Sequence, residues 1–161
     1  MAKVHFAHCK NYCHGQQKPF PWERKKEIIN FMTKILGVNH ITILTSNKEK
    51  AEKFYIDTLG FEKVSKGNHL WIKVGNQYIH ITDNSGKPNK DTFYHFAIEI
   101  ENLKEYLEEI VKKGVSVFDL DERQNKILVN SDFNKDRRNY FINDLDGNLI
   151  EFIDSKNGFF K

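Results

Sequence analysis

The feature that most restricts how this chain folds is an internal repeat whose ends carry metal-capable side chains at matching points. The first copy opens on Val38-Asn39-His40-Ile41-Thr42-Ile43 and closes on Gly75-Asn76-Gln77-Tyr78-Ile79-His80-Ile81-Thr82-Asp83. The second opens on Phe93-Tyr94-His95-Phe96-Ala97-Ile98 and closes on Gly147-Asn148-Leu149-Ile150-Glu151-Phe152-Ile153-Asp154. Both opening segments bear a histidine, while the closing segments bear His80 and Glu151. A chain built this way is expected to fold as two similar halves sharing one site.

Between these anchors the halves follow the same rhythm. Residues 37–45 have β-branched strand character, and Ser46-Asn47-Lys48-Glu49 reads as a capping box that opens a helix. Ala51, Phe54, Tyr55 and Leu59 give that helix a buried stripe, and Gly60 ends it. Strands are expected near 61–66, 69–75 and 77–83, separated by Gly-Asn turn signals. Ser85-Gly86-Lys87-Pro88-Asn89 is the natural link between the halves. In the second half a strand over 92–100 precedes a helix from about residue 102, with Leu103, Tyr106, Leu107, Ile110 and Val111 facing inward. Gly114 stops that helix, and strands follow at 115–118 and 138–142. Residues 121–136 form a polar connection with a short strand at 127–129, and a turn at 144–148 leads to a final strand ending at Asp154. The expectation is an α+β fold of two βαβββ modules, about 36–84 and 92–154, forming a shared curved-sheet cavity. Residues 155–161 are a tail.

At 161 residues, with 39% hydrophobic and 29% charged content, the chain suits one globular domain. No apolar run approaches the roughly 20 residues of a membrane span, and the first residues lack the apolar core of a secretory signal. The net charge of +3, with Lys and Glu interspersed, gives no basic footprint for nucleic acid. The expected setting is the cytoplasm, with a small molecule as partner and neither nucleic acid nor membrane.

Residues 1–35 read differently. They carry both cysteines, Cys9 and Cys13, beside His5, His8 and His14, without the two separated ligand pairs of a folded zinc module. Arg24-Lys25-Lys26-Glu27 can be encoded by purine-rich codons of ribosome-binding type a few codons before Met32. The segment is therefore expected to be an N-terminal extension, disordered or a translated leader; its thiolate and imidazole groups suit zinc, but in a translated leader the cluster has no meaning.

Strand alternation places His40 on the face of Val38 and Thr42, and His95 on the face of Phe93 and Ala97, with Tyr94, Phe96 and Ile98 turned toward the helix. Glu151 shares its face with Leu149 and Ile153, where an unpaired carboxylate is costly to bury. A cation that keeps Glu151 ionised, with neutral imidazoles around it, is the lower-cost reading. The competing reading pairs Glu151 with Arg137 or Arg138 and leaves the histidines as ordinary core or surface residues. His80 has a third option, contact with substrate.

The combination of Val38-Asn39-His40-Ile41-Thr42-Ile43, Ala51-Glu52-Lys53-Phe54-Tyr55, Leu59-Gly60-Phe61, Tyr94-His95-Phe96-Ala97 and the run from Asn143 to Glu151 resembles the vicinal oxygen chelate superfamily. That group includes glyoxalase I, fosfomycin-resistance enzymes, extradiol dioxygenases and bleomycin-resistance proteins. The resemblance covers about residues 36–154 and is specific to the superfamily rather than to a member. It implies metal ligands at His40, His80, His95 and Glu151, a divalent ion (Zn, Ni, Co, Mn or Fe), and a small substrate chelated through vicinal oxygens. It also implies a homodimer, since members pair or exchange half-domains. His80 stands where glyoxalase I carries a carboxylate, which counts against a lactoylglutathione reaction. His40, His95 and Glu151 match the fosfomycin-type set, although Asn130-Ser131-Asp132-Phe133-Asn134-Lys135-Asp136 shows no obvious phosphonate loop.

Around this set, Arg137 and Arg138 open a late strand where at least one is expected to point inward and hold an anion. Surface pairing with Asp136 or Asp144 is the alternative. Trp71 and Tyr94 are candidate pocket walls and Tyr140 a candidate donor to a bound oxyanion, each against a plain packing role. The resulting expectation is a metal-dependent lyase, isomerase, transferase or dioxygenase. The alternatives are a non-catalytic protein that sequesters a small molecule, as bleomycin-resistance proteins do, and a structural metal in a sensor domain.

Overall fold

A computed structural model describes residues 36–83, 88, 92–129 and 131–160. The N-terminal Cys/His cluster, the proposed leader and most of the Ser85–Asn89 link lie outside the described residues. Contacts divide the chain into Met1–Gly37 and Val38–Lys161, and both halves of the repeat fall in the second unit. Among the described residues no helix is long and apolar enough to cross a membrane.

The first module contains β1 (His40–Leu44), α1 (Lys48–Lys53), β2 (Glu62–Lys66), β3 (His69–Val74) and β4 (Gln77–Thr82). Its sheet runs β1-β4-β3-β2, with β1 parallel to β4 and the other neighbours antiparallel. The second contains β5 (His95–Ile100), α2 (Leu103–Lys112), β6 (Val117–Leu120), β7 (Lys126–Leu128), β8 (Asn139–Asn143) and β9 (Leu149–Asp154). Its sheet runs β5-β9-β8-β6-β7, again with the opening strand parallel to the closing one. The fold is therefore α+β in two modules, the second enlarged by the short strand β7.

Register confirms the repeat at single-residue level. Thr42, two residues after His40, pairs with His80; Ala97, two residues after His95, pairs with Glu151. The period-two alternation of strands then gives each sheet two chemically different faces. In the first module Ile79, Ile81, Leu70 and Ile72 are buried with Ala51, Phe54, Tyr55 and Leu59 of the helical segment. In the second, Ile98, Ile142, Ile150 and Phe152 are buried with Leu103, Leu107 and Ile110 of α2. The opposite faces carry His40, His80, His95 and Glu151. Burying the apolar faces at about 25 cal/mol per Å² supplies the folding drive, which leaves the other faces free for function.

Two local features differ from the sequence expectation. The helix cap is Asn47, whose side chain accepts from Lys50 N at 2.8 Å, and not Ser46. Ser46 is occupied elsewhere, because its hydroxyl donates to Asp146 Oδ1 at 2.5 Å. The helix also widens into a π-helical turn over Phe54–Thr58, with Leu59 N bonded to Phe54 O at 3.0 Å. The wider winding lets the consecutive residues Phe54 and Tyr55 both turn inward. Gly60, at φ +76°, then reverses the chain in the left-handed conformation.

Ser46 belongs to a clamp that ties the modules together. Thr45 donates its hydroxyl to Asp146 Oδ2 at 2.5 Å and Ser46 N donates to the same oxygen at 3.1 Å. Asn148 Nδ2 donates to Leu44 O at 2.9 Å, and the Tyr55 hydroxyl donates to Asp144 Oδ2 at 2.9 Å. Burial, and beside it the Asp144 carboxylate, pushes the Tyr55 phenol well above its usual value, so it remains a donor. Asp144 also orders its own turn by accepting from the backbone N of Asp146 and Asn148. Thr45, Tyr55, Asp144, Asp146 and Asn148 are buried and partnered, as a low-dielectric polar network requires, while Ser46 closes the clamp from the exposed side.

Asp146→Ala leaves the Thr45 and Ser46 donors without a carboxylate, and urea denaturation should show a loss of about 3 kcal/mol. Asn47→Ala should lose about 1 kcal/mol. An exposed control, Glu105→Gln, should stay within about 0.5 kcal/mol of the wild type.

Candidate metal centre

The second sheet holds a His–carboxylate pair in contact. Glu151, only 6% exposed, extends from the middle of β9, and its Oε2 lies 3.1 Å from His95 Nε2. The other oxygen, Oε1, accepts from Asn139 Nδ2 on the neighbouring β8. Register explains the meeting, since Phe141 faces Glu151 across β8 and β9, Asn139 lies two residues before it, and Ala97 is the partner of Glu151 on β5. The apolar side chains Phe118, Phe141 and Leu149 cluster on this same face.

The protonation logic of the pair is informative. His95 Nδ1 lies 2.8 Å from the carbonyl oxygen of Phe93. A carbonyl only accepts, so Nδ1 carries the proton and a neutral imidazole presents a lone pair at Nε2. That lone pair faces an oxygen of Glu151, which is also an acceptor. Two acceptors at this distance need a positive centre between or upon them: a second imidazole proton or a metal cation. Ligand atoms about 3 Å apart form an ordinary edge of a coordination shell with bonds near 2.1 Å. The residues therefore fit a metal ion.

The first sheet presents the corresponding half. His40 Nδ1 lies 2.9 Å from Asn39 Oδ1, so donation to that oxygen leaves Nε2 free to ligate, the same arrangement as at His95. His80 Nε2 is buried with no hydrogen-bond partner among the described residues. Trp71 stacks on the His80 ring at 4.5 Å and 12°, and Lys66 Nζ lies 5.0 Å from the Trp71 ring centre. His40 and His80 have ring centres 6.4 Å apart, and His69, not foreseen as part of the site, lies 5.0 Å from His80 on the other side. Burial first, then the neighbouring His69 and His40, holds the His80 pKa below its ordinary value and favours the neutral ring.

These halves do not merge within one chain. Among the described residues, no three His, Cys, Asp or Glu side chains converge to hold an ion. His95 and Glu151 form one pair, while His40 and His80 lie on the other sheet. The structure places the remaining sequence candidates in various settings. Trp71 shares the face of His80, whereas Arg137 pairs with Asp119 and Arg138 lies 4.7 Å over the Phe159 ring. Because β8 begins at Asn139, the strand alternation expected from residue 138 does not carry either arginine to Glu151. Tyr140 lies in the buried core, its hydroxyl accepting from Asn134 N at 3.0 Å. Tyr94 is 80% exposed and not turned toward the helix, because β5 begins one residue later. The partner that sequence reading missed for Glu151 is Asn139. Its signal was spacing, since it stands one alternation before Phe141.

Comparison with known proteins agrees with this architecture. The family described as the Glyoxalase/Bleomycin resistance protein/Dioxygenase superfamily matches residues 37–152. The chain belongs to that superfamily. Among solved structures, a glyoxalase family protein from Bacillus anthracis is 27% identical, with a TM-score of 0.60 over 76% of this chain and 97% of that one. The fosfomycin resistance protein FosX from Listeria monocytogenes, complexed with Mn(II) and sulfate, is 20% identical, with a TM-score of 0.56 over 75% and 91%. Oxidase ChaP-H2 is 17% identical, with a TM-score of 0.57 over 75% and 94%. The last two likenesses concern the fold.

Asn139→Leu should remove the donor to Glu151 Oε1. In metal-free protein the expected loss is about 2 kcal/mol of stability, read by urea denaturation, because a buried carboxylate oxygen is left unpaired.

Proposed function

We propose, from membership of this superfamily and from the facing lone pairs of His95 and Glu151, that the protein is a metal-dependent enzyme acting on a small oxygen-rich molecule. The ion is Zn, Ni, Co, Mn or Fe, held by His95 and Glu151 of one copy together with His40 and His80 of a second copy. The observation that carries the reading is the 3.1 Å approach of His95 Nε2 to Glu151 Oε2 while Nδ1 is committed to a carbonyl. The buried, unpartnered Nε2 of His80 supports it from the other sheet. A homodimeric site accounts for two half-sites that do not meet within a chain. The large apolar residues Val38, Phe93 and Tyr94, which flank the two opening strands, are exposed in the single chain and suit such a contact.

When bound, the metal would polarise chelated substrate oxygens as a Lewis acid. The chain's own residues orient the donors: Phe93 O and Asn39 Oδ1 fix the His95 and His40 tautomers, and Asn139 holds the distal oxygen of Glu151. Trp71 keeps the His80 ring upright by stacking. The reaction is of the lyase, isomerase, transferase or dioxygenase type. The alternative is a protein that sequesters a small molecule without metal.

Elemental analysis of tag-free wild type should find about one divalent ion per chain, and Glu151→Ala and His95→Ala should each reduce it at least tenfold. Wild type should sediment as a dimer. A metal-free wild type after reconstitution would overturn the enzyme reading in favour of sequestration.

A further inference from the structure

A cavity of about 240 Å³ lies beside the His95–Glu151 pair, and none of the residues assigned above to metal binding lines it. Its polar lining comes from Thr92, Gln124, Lys126 and Asn143, and its apolar walls include Phe93 and Leu149. Register puts it on the functional face: Asn143, Leu149 and His95 form one row across β8, β9 and β5, next to the row that contains Glu151. Phe93 is a shared wall, since its ring centre is 4.9 Å from that of His95.

The donors of this cavity are unspent. Lys126 Nζ donates to Asn143 Oδ1 and sits 4.7 Å over the Phe118 ring, which fixes the ammonium and leaves further N–H groups to offer. No carboxylate pairs with Lys126, and none lines the cavity, among the described residues. Thr92 Oγ1 is buried without any partner there. A buried hydroxyl without a partner is a donor available to an acceptor that enters the cavity. Gln124 adds a third group, and the backbone holds it in a left-handed conformation at φ +65°. Asp121 enforces that turn: its O accepts from Gln124 N at 2.9 Å, and its carboxylate accepts from the backbone N of Arg123 and Asn125. A non-glycine residue held at positive φ in a pocket wall is strain of the kind found at ligand clamps.

We propose that this cavity is an oxyanion subsite. It takes a compact carboxylate or phosphate-type group on Lys126, Thr92 and Gln124. Resting on the function proposed above, the inference narrows the substrate class: chelating oxygens at the metal end, and an anionic group a short distance away on the same sheet. It also replaces Arg137 and Arg138 as the anion anchor, because Asp119 already pairs with the first and Phe159 stacks under the second.

The test uses metal-free full-length protein, titrated with inorganic phosphate and separately with acetate at constant ionic strength. Amide NMR shifts of Thr92, Gln124 and Lys126 are the readout. Saturable shifts are expected with at least one of the two anions, and the tighter one assigns the subsite as phosphate-type or carboxylate-type. Lys126→Met should weaken that binding about tenfold or more, the value of a charge-assisted hydrogen bond, and Thr92→Val several-fold. Circular dichroism should show both variants folded. Shifts that do not saturate with either anion, or saturation unchanged in both variants, would overturn the subsite. Loss of the metal reading alone would leave variant-sensitive anion binding intact, so the two failures are distinguishable.

Discussion

The interaction on which the rest of the structure depends is the buried carboxylate of Asp146 accepting from Thr45 and Ser46. It joins the end of β1 in one module to the β8–β9 turn in the other, while Asn148 binds Leu44 O from the same turn. Neither module covers its opening strand: β1 and β5 are both edge strands. Unsatisfied edges invite wrong pairing. The clamp fixes where β1, which begins at His40, stands against the second module, while β5, which begins at His95, is held by its ladder with β9. Tyr55, held by Asp144, extends the same constraint into the π-helical turn and the first core.

From that constraint the division of labour between faces follows. One face of each sheet carries Ile, Leu and Phe against a helix and provides the stability. The other carries imidazole, carboxylate and amide groups whose burial costs free energy unless each finds a partner. Asn139, Phe93 O and Asn39 satisfy part of that demand. What is left over among the described residues is specific: His95 Nε2 facing a carboxylate, an unpartnered nitrogen at His80 and an unpartnered hydroxyl at Thr92. The first is met by a second imidazole proton or by a cation, the second can ligate a cation in its neutral form, and the third can donate to an acceptor. On the proposed function, the cation between His95 and Glu151 and the acceptor beside Thr92 would occupy adjoining rows of one face, as two chemically distinct ends of one substrate.

Much of this was legible in the sequence because period-two alternation and repeat equivalence are local properties. The equivalent placement of His40 and His80 in one copy and of His95 and Glu151 in the other followed from the repeat, as did the α+β modules and the buried stripes of both helices. Contacts between distant segments were not legible. Ser46 has the right type and spacing for a helix cap, yet Asp146, a hundred residues later, takes its hydroxyl and Asn47 caps instead. The surroundings of Arg137 and Arg138 were not legible because strand limits are soft in sequence: β8 starts one residue later than expected, and the two side chains meet Asp119 and Phe159 instead of following the ladder. The π-helical turn and the left-handed Gln124 depend on tertiary packing and on the Asp121 turn, neither of which propensity records.

The most direct measurement of the central claim is metal content after co-expression of His40→Ala with Glu151→Ala chains carrying different tags. Each variant alone should lack metal. If the site joins His40 of one copy to His95 and Glu151 of another, the purified mixed dimer recovers one intact site in two and about half the wild-type metal. A mixed dimer as empty as either variant would contradict the shared site.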